Sequence, residues 1–321
     1  MPHASIKKAW SLPASIKDIV DGAAIPLMRN ALTIDVEDYY QVSAFESQVA
    51  FSDWPRFESR VVGNTWRLLE ILNFYKVKAT FFVLGWVAER HPQTVLAIRQ
   101  EGHEIACHGY RHRLLYGMDR EDFRDDTKRA KGVLEDLCGL PVLGYRAPSY
   151  SITKKTLWAL DVLEELGFRY DSSIFPIHHD RYGIPDAARF PYIHQLLGGR
   201  SLIEVPLSTT RLWGQHVPIA GGGYFRLFPY PFIRWAILRM NERERKSAIL
   251  YLHPWEIDPH QPKIKGNLPS RFRHYLNLKK TEPRLRRLLQ DFRFSPLNEL
   301  IETMVHEETA PERVSIMVPS T

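Results

Sequence analysis

Short apolar runs alternate along this chain with longer stretches of helical spacing, and most of the runs end in polar side chains. Residues 31–36 form the first run and close on Asp35, Glu37 and Asp38. Residues 79–84 are continuously apolar or β-branched, the pattern of a strand buried on both faces. Residues 104–107 run into His108, 142–145 into Arg146 and 248–252 into His253. Further strand signals stand at Tyr170-Asp171 and at 202–207. Helix patterns lie between them. Residues 61–75 place Val62, Trp66, Leu69 and Leu72 or Ile71 on one side. Pro92 opens a helix to about Gln100, and residues 120–138 are closed by Gly139 and Pro141. Thr153 is placed to cap a helix running to Leu166 and ended by Gly167. Pro229 or Pro231 starts another to about Asn241, and Gly221, Gly222 and Gly223 read as a loop.

Strands alternating with helices predict an α/β protein with a parallel sheet. Apolar strands that each end in a polar cluster fit a (β/α) barrel, in which chemistry sits at the carboxyl ends of the strands. Those ends here carry Asp35, Glu37, Asp38, His108, His112, Arg146, Asp171 and His253, so separate segments would converge on one mouth.

Composition narrows the class. Of 321 residues, 44% are apolar and 25% charged, which excludes disordered, collagenous and coiled-coil chains. No run approaches the length of a membrane-spanning helix. The first 30 residues lack the apolar core of a secretory signal, so the expected compartment is the cytoplasm. Two cysteines, Cys107 and Cys138, exclude a disulfide scaffold and a cysteine-rich zinc site. The net charge is +6, but between Lys263 and Arg293 ten basic residues face only Glu282 and Asp291. That segment suits an anionic glycan, a phosphate-bearing lipid carrier or the inner face of a membrane. It lacks the regular aromatic interleaving of a nucleic-acid binder, so no nucleic-acid partner is expected.

His108 and His112 stand four apart just past a strand. Two neutral imidazoles on one turn suit Zn²⁺, Co²⁺, Ni²⁺ or Fe²⁺, and a third, oxygen ligand would leave positions open for water and substrate. Asp35, Glu37 and Asp38 offer that oxygen. Three carboxylates at one strand end repel unless a cation or an arginine offsets them. One would hold metal and another would take a proton from water. Arg146, in a loop stiffened by Pro148, can hold a carboxylate base ionised. His253 can protonate a departing amine near neutral pH, and Asp171 and Glu256 can orient imidazoles. Aromatic residues make up 12% of the chain. Tyr150 and Trp255, beside the motifs, are candidates to stack on sugar rings.

Five ordered motifs carry a family likeness: Thr33-Ile34-Asp35-Val36-Glu37-Asp38, His108-Gly109-Tyr110-Arg111-His112, Arg146-Ala147-Pro148-Ser149-Tyr150, Asp171-Ser172-Ser173 and Leu252-His253-Pro254. They resemble the polysaccharide deacetylases of carbohydrate esterase family four, the NodB-homology group. The nearer likeness is to the exosortase-associated exopolysaccharide deacetylases, which carry a C-terminal region of their own. The resemblance covers about residues 30–260. It implies a distorted (β/α)₇ barrel over 31–262, an N-terminal extension over 1–30 and a basic C-terminal extension over 263–321, on or beside the barrel.

The resemblance also implies metal-dependent removal of N-acetyl groups from the amino sugars of a polysaccharide, with zinc first among the metals and cobalt, nickel or iron as others. The substrate would be an N-acetylated polysaccharide or a lipid-linked glycan. Position by position, Asp35 matches the general base, and His108 and His112 the metal-binding histidines. Arg146 matches the arginine that holds the base. His253 matches the general acid, Leu252 a wall of the acetyl pocket, and the Ser149 N–H the oxyanion donor. Tyr150, Asp171 and Trp255 are the accompanying substrate contacts.

The commoner motif has two adjacent aspartates, whereas Val36 and Glu37 here separate Asp35 from Asp38. Asp38 is favoured as the metal carboxylate for its shorter arm. Glu37 stays open because strand alternation puts it on one face with Asp35. The alternatives are an allantoinase-like amidohydrolase acting on a small ureide or N-acyl compound, favoured by a closed mouth, and a non-catalytic glycan-binding protein.

Overall fold

Strand β1 (Arg29–Val36) is buried from Asn30 onward, as a strand covered on both faces must be. It lies between β2 (Thr80–Val83) and β10 (Ile249–Leu252), parallel to both. The computed structural model describes residues 28–306 and 312–314. Nearly all of the expected N-terminal extension, residues 1–27, lies outside them.

From β2 the sheet continues through β3 (Glu104–Cys107), β4 (Gly144–Tyr145), β5 (Tyr170–Asp171) and, past the intervening strand β6 (Tyr192–Gln195), β7 (Ser201–Glu204). Seven strands, β10, β1, β2, β3, β4, β5 and β7, are thus mutually parallel neighbours in one curved sheet. Strand β6 adds to β7 antiparallel. Strands β8 (Thr209–Leu212) and β9 (Gln215–Pro218) make a separate hairpin. The ring closes between β7 and β10 through irregular backbone. Tyr251 N–H donates to Ala220 O at 2.7 Å, and Gly221 bridges Tyr251. This is a parallel (β/α)₇ barrel with a distorted seam.

The helices cover the outside: α1 (Val61–Phe74), α2 (Gly85–Arg90), α3 (Pro92–Gln100), α4 (Arg120–Cys138), α5 (Trp158–Glu165), α6 (Gly222–Leu227) and α7 (Tyr230–Leu238). Helix α4 spans its predicted residues, capped by Asp119 on Asp122 N–H and ended by Gly139 at φ +64°. Helix α1 keeps its predicted start but turns differently. Val61, Leu68 and Leu72 are buried while Trp66 is exposed. Thr153 caps no helix, since α5 starts only at Trp158 and the intervening residues form turns.

Strand alternation separates two apolar clusters. Leu32, Ile34, Phe81, Val83, Leu250 and Leu252 pack against the helices. Ala31, Phe82, Ala106, Tyr170 and Tyr251 fill the barrel interior. Residues beyond 262 are built into the molecule. Strand β11 (Arg293–Ser295) pairs with the start of β1, and β12 (Glu312–Val314) pairs with β6. Helices α8 (Leu268–Tyr275), α9 (Leu278–Asp291) and α10 (Leu297–His306) accompany them. Among the described residues no helix is long and apolar enough to cross a membrane.

Candidate active site

Thr33 and Asp35 alternate into the barrel at the carboxyl end of β1, where Arg146 arrives from the end of β4. The Arg146 side chain is fully buried and saturated with acceptors. It donates to Asp35 Oδ1 at 2.7 Å, Thr33 Oγ1 at 2.6 Å, Ser172 O at 3.1 Å and Ser172 Oγ at 2.9 Å, and its guanidinium lies over the Phe82 ring. A buried guanidinium held at this many points has no freedom to leave Asp35. Tyr150 adds its hydroxyl at 3.4 Å from Asp35 Oδ2.

Past β1 the chain tightens, with Glu37 N–H donating to Asp35 O. Glu37 is therefore delivered beside Asp35, and Asp38 turns away. Oδ2 of Asp38 accepts Ser59 Oγ and the N–H groups of Arg60 and Val61, and its Oδ1 accepts Tyr39 N–H. It caps the start of α1. Burial raises its pKa to about 6, against the pull of those hydrogen bonds. The expectation that Asp38 joins the histidines is thereby corrected: its oxygens are committed to the helix terminus, and Glu37 occupies the place instead.

The donor atoms of Glu37, His108 and His112 lie within 4.8 Å of one another. His108 Nδ1 is engaged by the Arg146 carbonyl at 2.8 Å, leaving Nε2 toward the cluster. Burial lowers His108 to a pKa of about 4, despite Asp35 nearby, so it is a neutral imidazole. His112 Nε2 faces Glu37 Oε2 at 2.7 Å. That oxygen is buried and makes no hydrogen bond of good geometry. Burial pushes Glu37 up, but His112 and His253 outweigh it and hold the carboxyl well below the usual range. Two neutral-capable imidazoles, one ionised carboxylate and an oxygen without a hydrogen bond fit a divalent cation of the zinc class.

His253 stands across the cluster, its Nε2 3.5 Å from Glu37 Oε1 and 3.9 Å from Asp35 Oδ2. Its Nδ1 meets Glu256 Oε2 at 3.0 Å, and Glu256 Oε1 accepts Arg226 Nε at 2.6 Å. Burial would lower His253, but Glu37 and Glu256 overcome it and raise the pKa to about 9. Arg226 offsets the burial of Glu256, which stays ionised. Sequence reasoning missed Arg226. Its one signal was a lone basic side chain within the aromatic run Tyr224-Phe225-Arg226-Leu227-Phe228.

The remaining expected contacts are placed elsewhere. Trp255 is 3% exposed, sandwiched between His253 and His274, with Nε1 donating to Glu37 Oε1 at 3.2 Å. It orients the carboxylate rather than presenting a face to sugar. Leu252 shares a face with Ile34 and packs into the helix-facing core. Asp171 accepts from Ser173 Oγ and lies in register with Glu204 on β7, away from the cluster. Ser149 and Tyr150 both take left-handed backbone, with φ of 50° and 55°. Ser149 Oγ bonds Ser43 Oγ, and among the described residues its N–H meets no acceptor.

Residues 49–170 match the family model described as polysaccharide deacetylase. Residues 172–302 match a domain of unknown function, DUF3473. The peptidoglycan-N-acetylglucosamine deacetylase of Bacillus cereus is 33% identical over 117 residues, 36% of this chain and 41% of that protein. Over residues 49–170 the chain is thus similar to polysaccharide deacetylases. The peptidoglycan deacetylase-like protein FGM2 of Gibberella zeae is 36% identical over 110 residues, 34% of this chain and 32% of that protein. The chain thus spans about a third to two fifths of the length of these curated relatives. A crystal structure from Mycobacterium smegmatis that carries a polysaccharide deacetylase designation aligns over 94% of this chain and 98% of its own, at 23% identity and a TM-score of 0.63. That likeness bears on the fold. His108, His112 and Arg146 fall inside the polysaccharide deacetylase match, while Asp35 and Glu37 precede it and His253 lies in the second region.

Proposed function

We propose that the protein is a metal-dependent hydrolase that removes N-acetyl groups from the amino sugars of a polysaccharide. The observation that carries this reading is the flanking of one Glu37–His108–His112 cluster by an arginine-held carboxylate and by a protonated histidine. Glu37, His108 and His112 would hold the cation, zinc being the first candidate. A divalent cation there supplies a Lewis acid for the acetyl carbonyl and acidifies water.

The chain's own groups divide the proton work. Asp35, held by Arg146, accepts the proton of the attacking water. His253, protonated near neutral pH and held by Glu256, donates to the departing amine. The Ser149 N–H would donate to the oxyanion. The products are acetate and a free amino sugar. The subgroup resemblance, with its C-terminal region, supports an exopolysaccharide or its lipid-linked precursor as substrate. The barrel would be residues 31–262 and the basic segment an extension of it.

Asp35→Asn tests the assignment. The variant is expected to retain bound metal and to lose about 10²–10⁴-fold in acetate release from N-acetylated oligosaccharides. Turnover near the wild-type rate sinks the base.

A further inference from the structure

A cleft of about 660 Å³ opens beside the site, and Ser149 and Tyr251 belong to its lining. Tyr251 connects the two places. Its ring stands edge-on to Tyr150 at 5.1 Å and to His253 at 5.4 Å. The lining also includes the cationic and aromatic side chains Arg181, Arg273, Tyr116 and Phe272. All four are exposed. Neither guanidinium bonds a carboxylate among the described residues. The one acidic side chain of the lining, Asp180, lies 3.0 Å from His179 Nδ1, which accepts the Arg181 N–H, so the lining sets two guanidinium groups against one carboxylate.

Arg273 comes from the basic segment that the deacetylase motifs leave unexplained. Much of that segment has local work. Arg284 donates to the carbonyls of Phe225 and Arg226, Arg286 pairs with Glu282, and Arg287 lies over the Tyr230 ring. Arg273 has no such duty. Its position is fixed all the same, because the next residue, His274, stacks on Trp255 at 4.1 Å, and Trp255 bonds Glu37. The helix carrying Arg273 is therefore registered directly against the cation cluster. Arg181 sits in the loop whose backbone carbonyl accepts the Tyr116 hydroxyl, on the same cleft.

We propose that this cleft selects a sugar chain bearing a negative charge close to the N-acetylated unit, with Arg273 and Arg181 as the selecting residues. The anion is a carboxylate on a neighbouring acidic sugar or a phosphate joining sugar to carrier. Arginine recognises both through the same forked donors. The exposed rings of Tyr116 and Phe272 offer apolar faces to the sugars between. The inference rests on the deacetylase reading and names its substrate class.

The test compares three probes on the metal-loaded protein: neutral chitohexaose, an oligosaccharide alternating N-acetylglucosamine with glucuronate, and UDP-N-acetylglucosamine for the phosphate source. Acetate release gives kcat/KM, and calorimetry gives binding separately. An anionic probe is expected to exceed chitohexaose by about 5- to 10-fold, the scale of two partly exposed ion pairs. The advantage should shrink as salt is raised from low to near 0.5 M, roughly. Whichever anionic probe wins identifies the source. In Arg181→Gln/Arg273→Gln the ratio should fall to about one. Arg271→Gln, on the same helix outside the cleft, should keep it. Equal handling of charged and neutral probes, or an unchanged ratio in the double variant, overturns the proposal and leaves the deacetylase reading standing. If no probe releases acetate, the deacetylase reading fails. Binding then still decides the anion site, which is refuted if the double variant binds the anionic probes as tightly as wild type.

Discussion

Glu256 controls the charge of His253, and the consequence can be measured. Burial alone would favour neutral imidazole, and the carboxylates reverse that to a pKa of about 9. Replacing Glu256 with Gln removes one of them, so the His253 proton is lost at lower pH. The alkaline limb of the kcat/KM profile should move acidward in Glu256→Gln, with metal content unchanged. Because Glu37 contributes too, variant and wild type are compared in the same metal state. An unmoved limb would show that His253 is not the titrating acid. A second pair of variants separates the neighbouring carboxylates. Glu37→Gln should lose metal, measured by elemental analysis. Asp38→Asn should keep it and instead melt earlier by about 1 kcal/mol, the worth of a helix cap. At this scale the sequence was readable where chemistry is local. Asp35, His108, His112, Arg146 and His253 do gather. The Asp38–Glu37 choice was not readable, because it turns on one backbone bond, Glu37 N–H to Asp35 O. The burial of Trp255 and Leu252 was not readable either, because it depends on what packs over a residue, which no motif states.

Elements with strong ends were legible. Helix α4 has both of its stops written in the chain, Asp119 before it and Gly139 after. The weakly marked pieces were not. The β8–β9 hairpin and strand β6 lack long apolar runs, and the glycines 221–223 read as a plain loop. The structure gives that loop a structural task. Gly221 has φ +146°, and a Cβ there would fall 1.8 Å from Tyr251 O. Gly222 and Gly223 begin α6, which brings Arg226 to Glu256. Gly221→Ala must push the closing segment off β10, costing at least about 2 kcal/mol from overlap and strained backbone together. The expected result is a lower melting temperature together with reduced activity, since Tyr251 leads directly to His253. A variant that melts like wild type would show that the seam does not depend on this contact.

Across the whole molecule, the rule that strand ends hold the chemistry was readable from alternation alone, while the role of the chain beyond 262 was not. A charge run says nothing of its partners. Here the segment returns to the barrel, where Leu297 N–H donates to Thr80 Oγ1 and β11 lies on β1. The sheet also carries a pH dependence, set across strands β5 and β7. Asp171 and Glu204 face each other in register across β5 and β7, both buried. Burial raises Asp171 to about 6 and Glu204 well above its usual value. Both folded values exceed the unfolded ones, so the folded state holds protons that the unfolded state has already released. The stabilisation is complete below the unfolded values and is lost as pH rises from them through the folded ones, the Asp171 share by about pH 6 and the Glu204 share beyond it. Asp38 acts in the same direction but only up to about pH 6, so a slope that persists above it belongs to Glu204. Glu204→Gln keeps a donor for Asp171 and removes one buried charge. Its melting temperature should fall less than that of wild type between about pH 6 and 8. Parallel slopes in the two proteins would mean that the pair does not titrate in this range.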